Sequence, residues 1–128
     1  MQTIKPRDIA ITCARIADDK KAENVVVLNI RKLTFITDYF VIATAFNKRQ
    51  LQAIADDVEK RMKQEALRCL GREGYAEAIW ILMDYGQVVL HLFDEEARKT
   101  YDLEVLWGDA PRVRWKAAGK KSEASTGE

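Results

Sequence analysis

Few side chains in this sequence have the types and spacing that chemistry requires. There is one histidine, His91, and there are two cysteines, Cys13 and Cys69, with no CxxC pair and no Cys/His cluster near either. A zinc site or a Cys-His nucleophile pair needs several such groups converging, so no metal and no catalytic residue is assigned. Asp84 and Asp94 are ten residues apart, about 33 Å along a straight strand, too far to share a metal ion. Asp56 and Asp57 are adjacent in a helical stretch and diverge. A strand, a turn and a helix start at Thr44-Ala45-Phe46-Asn47 could hold a phosphate, but the turn has no glycine and Phe46 would crowd the anion. No cofactor is assigned, and the chain is expected not to be an enzyme.

What must position any site is one folded unit. A chain of 128 residues suits a single domain, and 48% hydrophobic with 32% charged residues is the balance of a compact soluble protein. Both cysteines fall in helix-like periodic stretches and read as small core residues. Net charge is +1, but residues 112–128 carry five Lys/Arg against two Glu, which leaves the rest at −2. The folded part is therefore not a polyanion binder by charge alone. No apolar signal core or membrane-length stretch is present, and a cytoplasmic or organelle-matrix location is expected, cytoplasmic if the chain is bacterial.

Helical spacing of Ile9, Cys13, Ile16 and Ala17 after Pro6 predicts a helix from about Pro6 to Lys21. Val25 to Ile30 and Tyr39 to Ala45 are β-rich runs that should pair in one sheet. Asn47 reads as an N-cap with Gln50 as its capping-box partner. Leu51, Ile54, Ala55, Val58, Met62, Ala66 and Cys69 then extend the helix to about Leu70, with Gly71 as its stop. Ala78 to Met83 and Val88 to Phe93 flank Asp84-Tyr85-Gly86-Gln87 and predict a hairpin with a tight glycine turn. Asp94 should cap a short helix that carries Glu95 and Glu96 early and Arg98 and Lys99 late, in the order the helix dipole favours. The expected domain covers 1–113, followed by a basic, disordered tail, 114–128.

Alternation along a strand gives the hairpin two unlike faces. With Tyr85-Gly86 as a two-residue turn, Asp84 pairs with Gln87 and Trp80 lies opposite His91. Ile79, Ile81, Met83, Val88, Leu90 and Leu92 then form an aliphatic face to pack beneath helices. Trp80, Leu82, Asp84, Val89, His91 and Phe93 form the other, whose aromatics, carboxylate and imidazole suit the centre of a protein interface. Alternatively, a further element such as Leu103 to Trp107 covers that face and makes Trp80 and Phe93 ordinary core.

Several stretches together resemble the Iojap-like ribosomal silencing factors of bacteria and organelles. They are Asp38-Tyr39-Phe40-Val41-Ile42-Ala43-Thr44, Arg49-Gln50, Glu73-Gly74, then Trp80, Asp84-Tyr85-Gly86, Val88-Val89, His91 and Phe93, then Arg98, Tyr101-Asp102-Leu103-Glu104 and Leu106-Trp107. The resemblance implies a single-domain α/β fold, a mixed β-sheet flanked by helices with nucleotidyltransferase-like topology but without the catalytic set. It also implies binding to the large ribosomal subunit through ribosomal protein fourteen, blocking union with the small subunit and lowering translation when nutrients are scarce. The partner-contacting surface carried over by motif is Trp80, Asp84, Tyr85 and His91, with Arg98 and Tyr101 as additions; Phe93 shares the hairpin face. Ala45 and Phe46 stand where the family usually has glycine and a small polar residue.

Two other readings stay open: a nucleotidyltransferase-like enzyme, and a homodimer in which the hairpin face pairs with its own copy. Arg112, Arg114, Lys116, Lys120 and Lys121 could add a weak contact to ribosomal RNA, or could simply solubilise the tail.

Overall fold

The structure, a computed structural model, describes residues 4–116. In chain order the elements are α1 (Pro6–Asp19), β1 (Glu23–Asn29), β2 (Tyr39–Thr44), α2 (Lys48–Gln64), β3 (Gly71–Glu73), β4 (Trp80–Asp84), β5 (Val88–Phe93), α3 (Glu95–Thr100) and α4 (Leu103–Leu106). The strands form one mixed sheet in the order β1-β2-β5-β4-β3, in which β2 and β5 run parallel and every other pair is antiparallel. This is the expected mixed sheet flanked by helices.

Both long helices lie on the same side of the sheet. Ile9, Cys13 and Ala17 of α1 and Leu51, Ile54, Val58 and Met62 of α2 bury their stripes against Val27, Val41, Ile81, Met83, Leu90 and Leu92. The alternate strand residues Val26, Leu28, Ile42 and Phe93 point to the other side, where Ala97, Leu103, Trp107 and Ala110 cover them. Among the described residues, the cover on that side comes from two short helices and the turn after them.

The helix starts agree with the sequence reading. Asn47 Oδ1 accepts the Gln50 amide at 2.8 Å, and Asp94 Oδ1 accepts the Ala97 amide at 2.8 Å. The Gln50 side chain reaches one residue beyond the usual capping-box target, to the Phe46 amide at 2.9 Å.

The end of α2 does not agree. The helix stops at Gln64 instead of near Leu70, and Gly71 opens β3 instead of serving as the stop. Ala66 takes a left-handed conformation, φ 60°, while its amide donates to Lys63 O at 3.0 Å and the Leu67 amide to Met62 O at 2.8 Å. This is the Schellman arrangement. Leu67 then packs on the helix-side core, which fixes the exit of the chain. Lys21 ends α1 the same way, with φ 71°, so that helix stops at Asp19, short of the expected Lys21.

The packed part of the chain runs past residue 113. Val113 N donates to Val27 O at 2.8 Å, Trp115 Nε1 donates to Val25 O at 3.0 Å, and Arg15 Nε donates to Trp115 O at 2.7 Å. The boundary expected at 113 therefore cuts through a bonded segment. Lys120 and Lys121 of the expected tail lie outside the described residues.

The left-handed alanine yields a direct test. Relieving the clash of its Cβ should make Ala66→Gly more stable by about 1 kcal/mol, a rise in melting temperature of about 4 °C. Thermal unfolding monitored by circular dichroism measures it; an unchanged or lower midpoint would contradict the assigned conformation.

Candidate protein-binding face

The hairpin forms where expected, with its turn centred one residue later. Asp84 lies opposite Val89, Leu82 opposite His91 and Trp80 opposite Phe93. The offset from the expected pairing is two residues, and because side chains alternate with period two, each strand residue keeps its face. Ile81, Met83, Val88, Leu90 and Leu92 lie in the helix-side core as expected. Ile79 does not; it precedes β4 and is exposed. The Tyr85 amide donates to Val88 O at 2.9 Å across the turn, where Gly86 has φ 87°. Asp84 Oδ1 accepts the Gly86 amide at 2.8 Å, so the carboxylate pins the turn as well as edging the face.

On the outward side, Trp80 is the hub. Its indole ring packs 4.9 Å from Phe93, 4.6 Å from Tyr101 and 5.9 Å from His91. Its Nε1 donates to His91 Nδ1 at 3.1 Å. Phe40 of β2 meets the His91 ring edge-on at 4.6 Å, and Trp107 meets Phe40 at 5.5 Å. Trp80, Leu82, Asp84 and Phe40 are half-buried, and Tyr101, Val105 and Leu106 are exposed.

Several expected contact residues lie elsewhere. Tyr85 is only 7% exposed and belongs to the helix-side core, because the alternation that turns Trp80, Leu82 and Asp84 outward turns residue 85 inward. Burial, with the Cys69 thiol nearby, pushes its hydroxyl pKa up. Its side chain lies on the opposite side of the sheet from Trp80. Phe93 is fully buried among Trp80, Tyr101 and the start of α3. The covering element considered at Leu103 to Trp107 is thus present as α4 and Trp107, and it seals part of the face.

His91 is also covered, at 5% exposure, and supports Trp80 from beneath instead of looking outward. Burial lowers its pKa to about 4, so the ring is neutral at pH 7. Since Nδ1 accepts from Trp80, the neutral ring carries its proton on Nε2. That nitrogen is buried without a partner among the described residues.

Arg98 is fully engaged within the chain. Its Nε donates to Glu104 Oε1 at 3.0 Å, one terminal nitrogen to Thr44 Oγ1 at 2.7 Å and the other to Asn24 O at 2.8 Å. It clamps α3 and α4 to the ends of β1 and β2. Arg112 approaches the other oxygen of Glu104 at 3.7 Å. The residue of this face missed in the sequence is Phe40, which reaches it through the parallel pairing of β2 with β5.

At the β2–α2 turn, the Phe46 and Gln50 amides are taken by the side chains of Gln50 and Asn47. A phosphate placed there would have to displace both. Among the described residues, no group of three His, Cys, Asp or Glu side chains is arranged to hold a metal ion. No described helix is long and apolar enough to cross a membrane.

These features define a mixed α/β domain whose second sheet face presents a partly covered aromatic surface. The family model described as ribosomal silencing factor during starvation matches residues 3–128. A protein named ribosomal silencing factor RsfS from Halalkalibacterium halodurans is 45% identical over 96 residues, covering 75% of this chain and 82% of that protein. The protein of the same name from Bacillus subtilis is 37% identical over 105 residues, covering 82% and 89%. A crystal structure of a Chromobacterium violaceum protein superposes with a TM-score of 0.79 at 27% identity, covering 94% of this chain and all of that one. The chain belongs to the ribosomal silencing factor family, as the Iojap-like resemblance implied.

The geometry yields two expected outcomes. Arg98→Ala strands a carboxylate, a hydroxyl and a carbonyl, and should cost about 3 kcal/mol in denaturant unfolding. Arg98→Lys should recover little, because an ammonium cannot span the three acceptors. The second outcome concerns His91. Its folded pKa lies below the unfolded value, so the unfolded chain takes up the proton first and stability is lost as pH falls from about 6.5 to about 4, at up to about 1.4 kcal/mol per unit. His91→Gln, which still offers Trp80 an acceptor, should remove that part of the acid loss; equal pH slopes for the two proteins would refute it.

Proposed function

We propose that this chain binds the large ribosomal subunit through ribosomal protein fourteen and, while bound, occupies space that the small subunit needs. The action is steric, with no bond made or broken, and its outcome is lowered translation when nutrients are scarce, in the cytoplasm of a bacterium. The observation that carries the reading is the half-buried Trp80, braced by His91 and Tyr101 and followed along the same strand face by Leu82 and Asp84. Partly exposed tryptophan on a rigid support is the composition of an interface hot spot. Tyr101 widens the surface, and Asp84 supplies a polar rim.

The reading assigns contact to Trp80, Asp84 and Tyr101, and support from behind to His91 and Phe93. Arg98 fixes the helices that border the surface, and Tyr85 fixes the hairpin from the helix side. If binding excludes the small subunit, a hundredfold excess over Kd opposes joining by about 2.7 kcal/mol.

Trp80→Ala should weaken co-sedimentation with large subunits by at least about thirtyfold, the loss of a hot-spot side chain, and should abolish inhibition of subunit joining in parallel. Binding of a folded Trp80→Ala protein at parental affinity would overturn the reading.

A further inference from the structure

The connection between β1 and β2 carries an apolar tip that stands exposed among the described residues. Phe35 is 106% exposed, Ile36 82% and Leu33 43%. The loop that bears them is nevertheless well tied. Ile30 O accepts the amides of Leu33 and Thr34 at 2.9 and 3.2 Å, and Asn29 Oδ1 accepts the Arg31 amide at 3.1 Å. Thr34 Oγ1 accepts the Ile36 amide at 3.2 Å. On the far side, the buried Thr37 donates its hydroxyl to Gly86 O at 3.0 Å, and the amides of Asp38 and Tyr39 both reach Gln87 O at 3.1 Å. The tip is thus held out beside the hairpin turn, next to the Asp84 end of the aromatic face.

Its charge is one-sided. Arg31 and Lys32 are exposed at the base of the tip, and the sequence has no acid between Glu23 and Asp38. The Arg31 guanidinium stands 6.0 Å from the centre of the Tyr39 ring. A projecting aromatic ring with two adjacent cations matches what an unpaired nucleotide offers, a flat base with a phosphate on each side. Three apolar side chains on one loop are too few for a protein interface, which buries about 1,600 Å² in all. A single stacked base needs only one ring.

We propose that Arg31–Ile36 is a contact for single-stranded RNA, in which Phe35 stacks on an unpaired base and Arg31 and Lys32 hold the flanking phosphates. The contact is separate from the Trp80 face and adjacent to it, so one docked molecule can use both.

The test is an amide NMR titration of the full chain with a single-stranded RNA about a dozen nucleotides long, a method that detects even millimolar binding. Saturable shifts are expected at residues 31–37, with weaker or no shifts for the same sequence as a duplex. Phe35→Ala should weaken binding by about tenfold or more, and Phe35→Trp should retain it. Replacing Arg31 and Lys32 together with Ala should reduce the slope of log K against log salt by about 1.4, the share of two phosphates on a single strand. Phe35 makes no core contact, so the rest of the spectrum reports folding of each variant. Shifts absent from 31–37, or parental affinity in Phe35→Ala, would overturn the proposal. So would a Phe35→Ala effect on the protein's own sedimentation, which would make the tip a contact between copies. Trp80→Ala should leave the RNA shifts intact while losing the large subunit, so failure of either contact is visible without the other.

Discussion

The placement of both long helices on one side of the sheet governs the rest of this structure. β5 has hydrogen-bonded neighbours on both edges, so its six side chains must find cover above or below. Val88, Leu90 and Leu92 find it beneath α1 and α2. Val89, His91 and Phe93 must be covered by the segment C-terminal to the strand, and α3 and α4 together are too short to hide the whole face. Aromatic side chains fill the gap by packing on one another, in a chain from Trp107 through Phe40 and His91 to Trp80 and Tyr101. The outer members of that chain keep part of their surface exposed among the described residues.

Polar groups inside this layer hold shape and carry little charge. A neutral imidazole accepts the Trp80 indole proton and fixes the ring in one rotamer, a role that a charged ring under the same cover could not fill without a large desolvation cost. Arg98 brings its guanidinium into this side, and all three of its nitrogens find oxygen. Its three partners come from β1, β2 and α4, so one side chain ties together segments far apart in sequence. The rigidity of the aromatic surface depends on such ties, since α4 is a single turn with little helical stability of its own.

The hairpin faces were legible in the sequence because alternation is a local rule, and the observed register shift of two residues leaves it untouched. The same rule, carried one residue further, turns Tyr85 inward; motif resemblance had grouped it with its outward neighbours. The caps at Asn47 and Asp94 were legible for a similar reason, the partner lying three residues away. The end of α2 was not. Apolar residues continue at helical spacing through Cys69, and the left-handed stop falls on an alanine, which gives no cue of its own. Cover of Phe93 by Leu103 to Trp107 was one of two readings the sequence left open, whereas burial of His91 depends on Phe40 of β2, brought in by the fold. The role of Arg98 was hidden likewise, with acceptors 54 and 74 residues away.

The segment after α4 also guards an edge. β1 is the last strand on its side of the sheet, and its outward amides and carbonyls would invite another chain to add a strand. Instead, Asn29 N donates to Pro111 O at 2.9 Å, Leu28 is bridged to Arg112, and Trp115 folds its indole back onto the Val25 carbonyl. At the opposite border β3 is three residues long and carries Arg72 and Glu73, too short and too charged to serve as a template. Both margins of the sheet are thus poor templates for an added strand, one because the chain's own C-terminal segment occupies it and the other because it is short and charged.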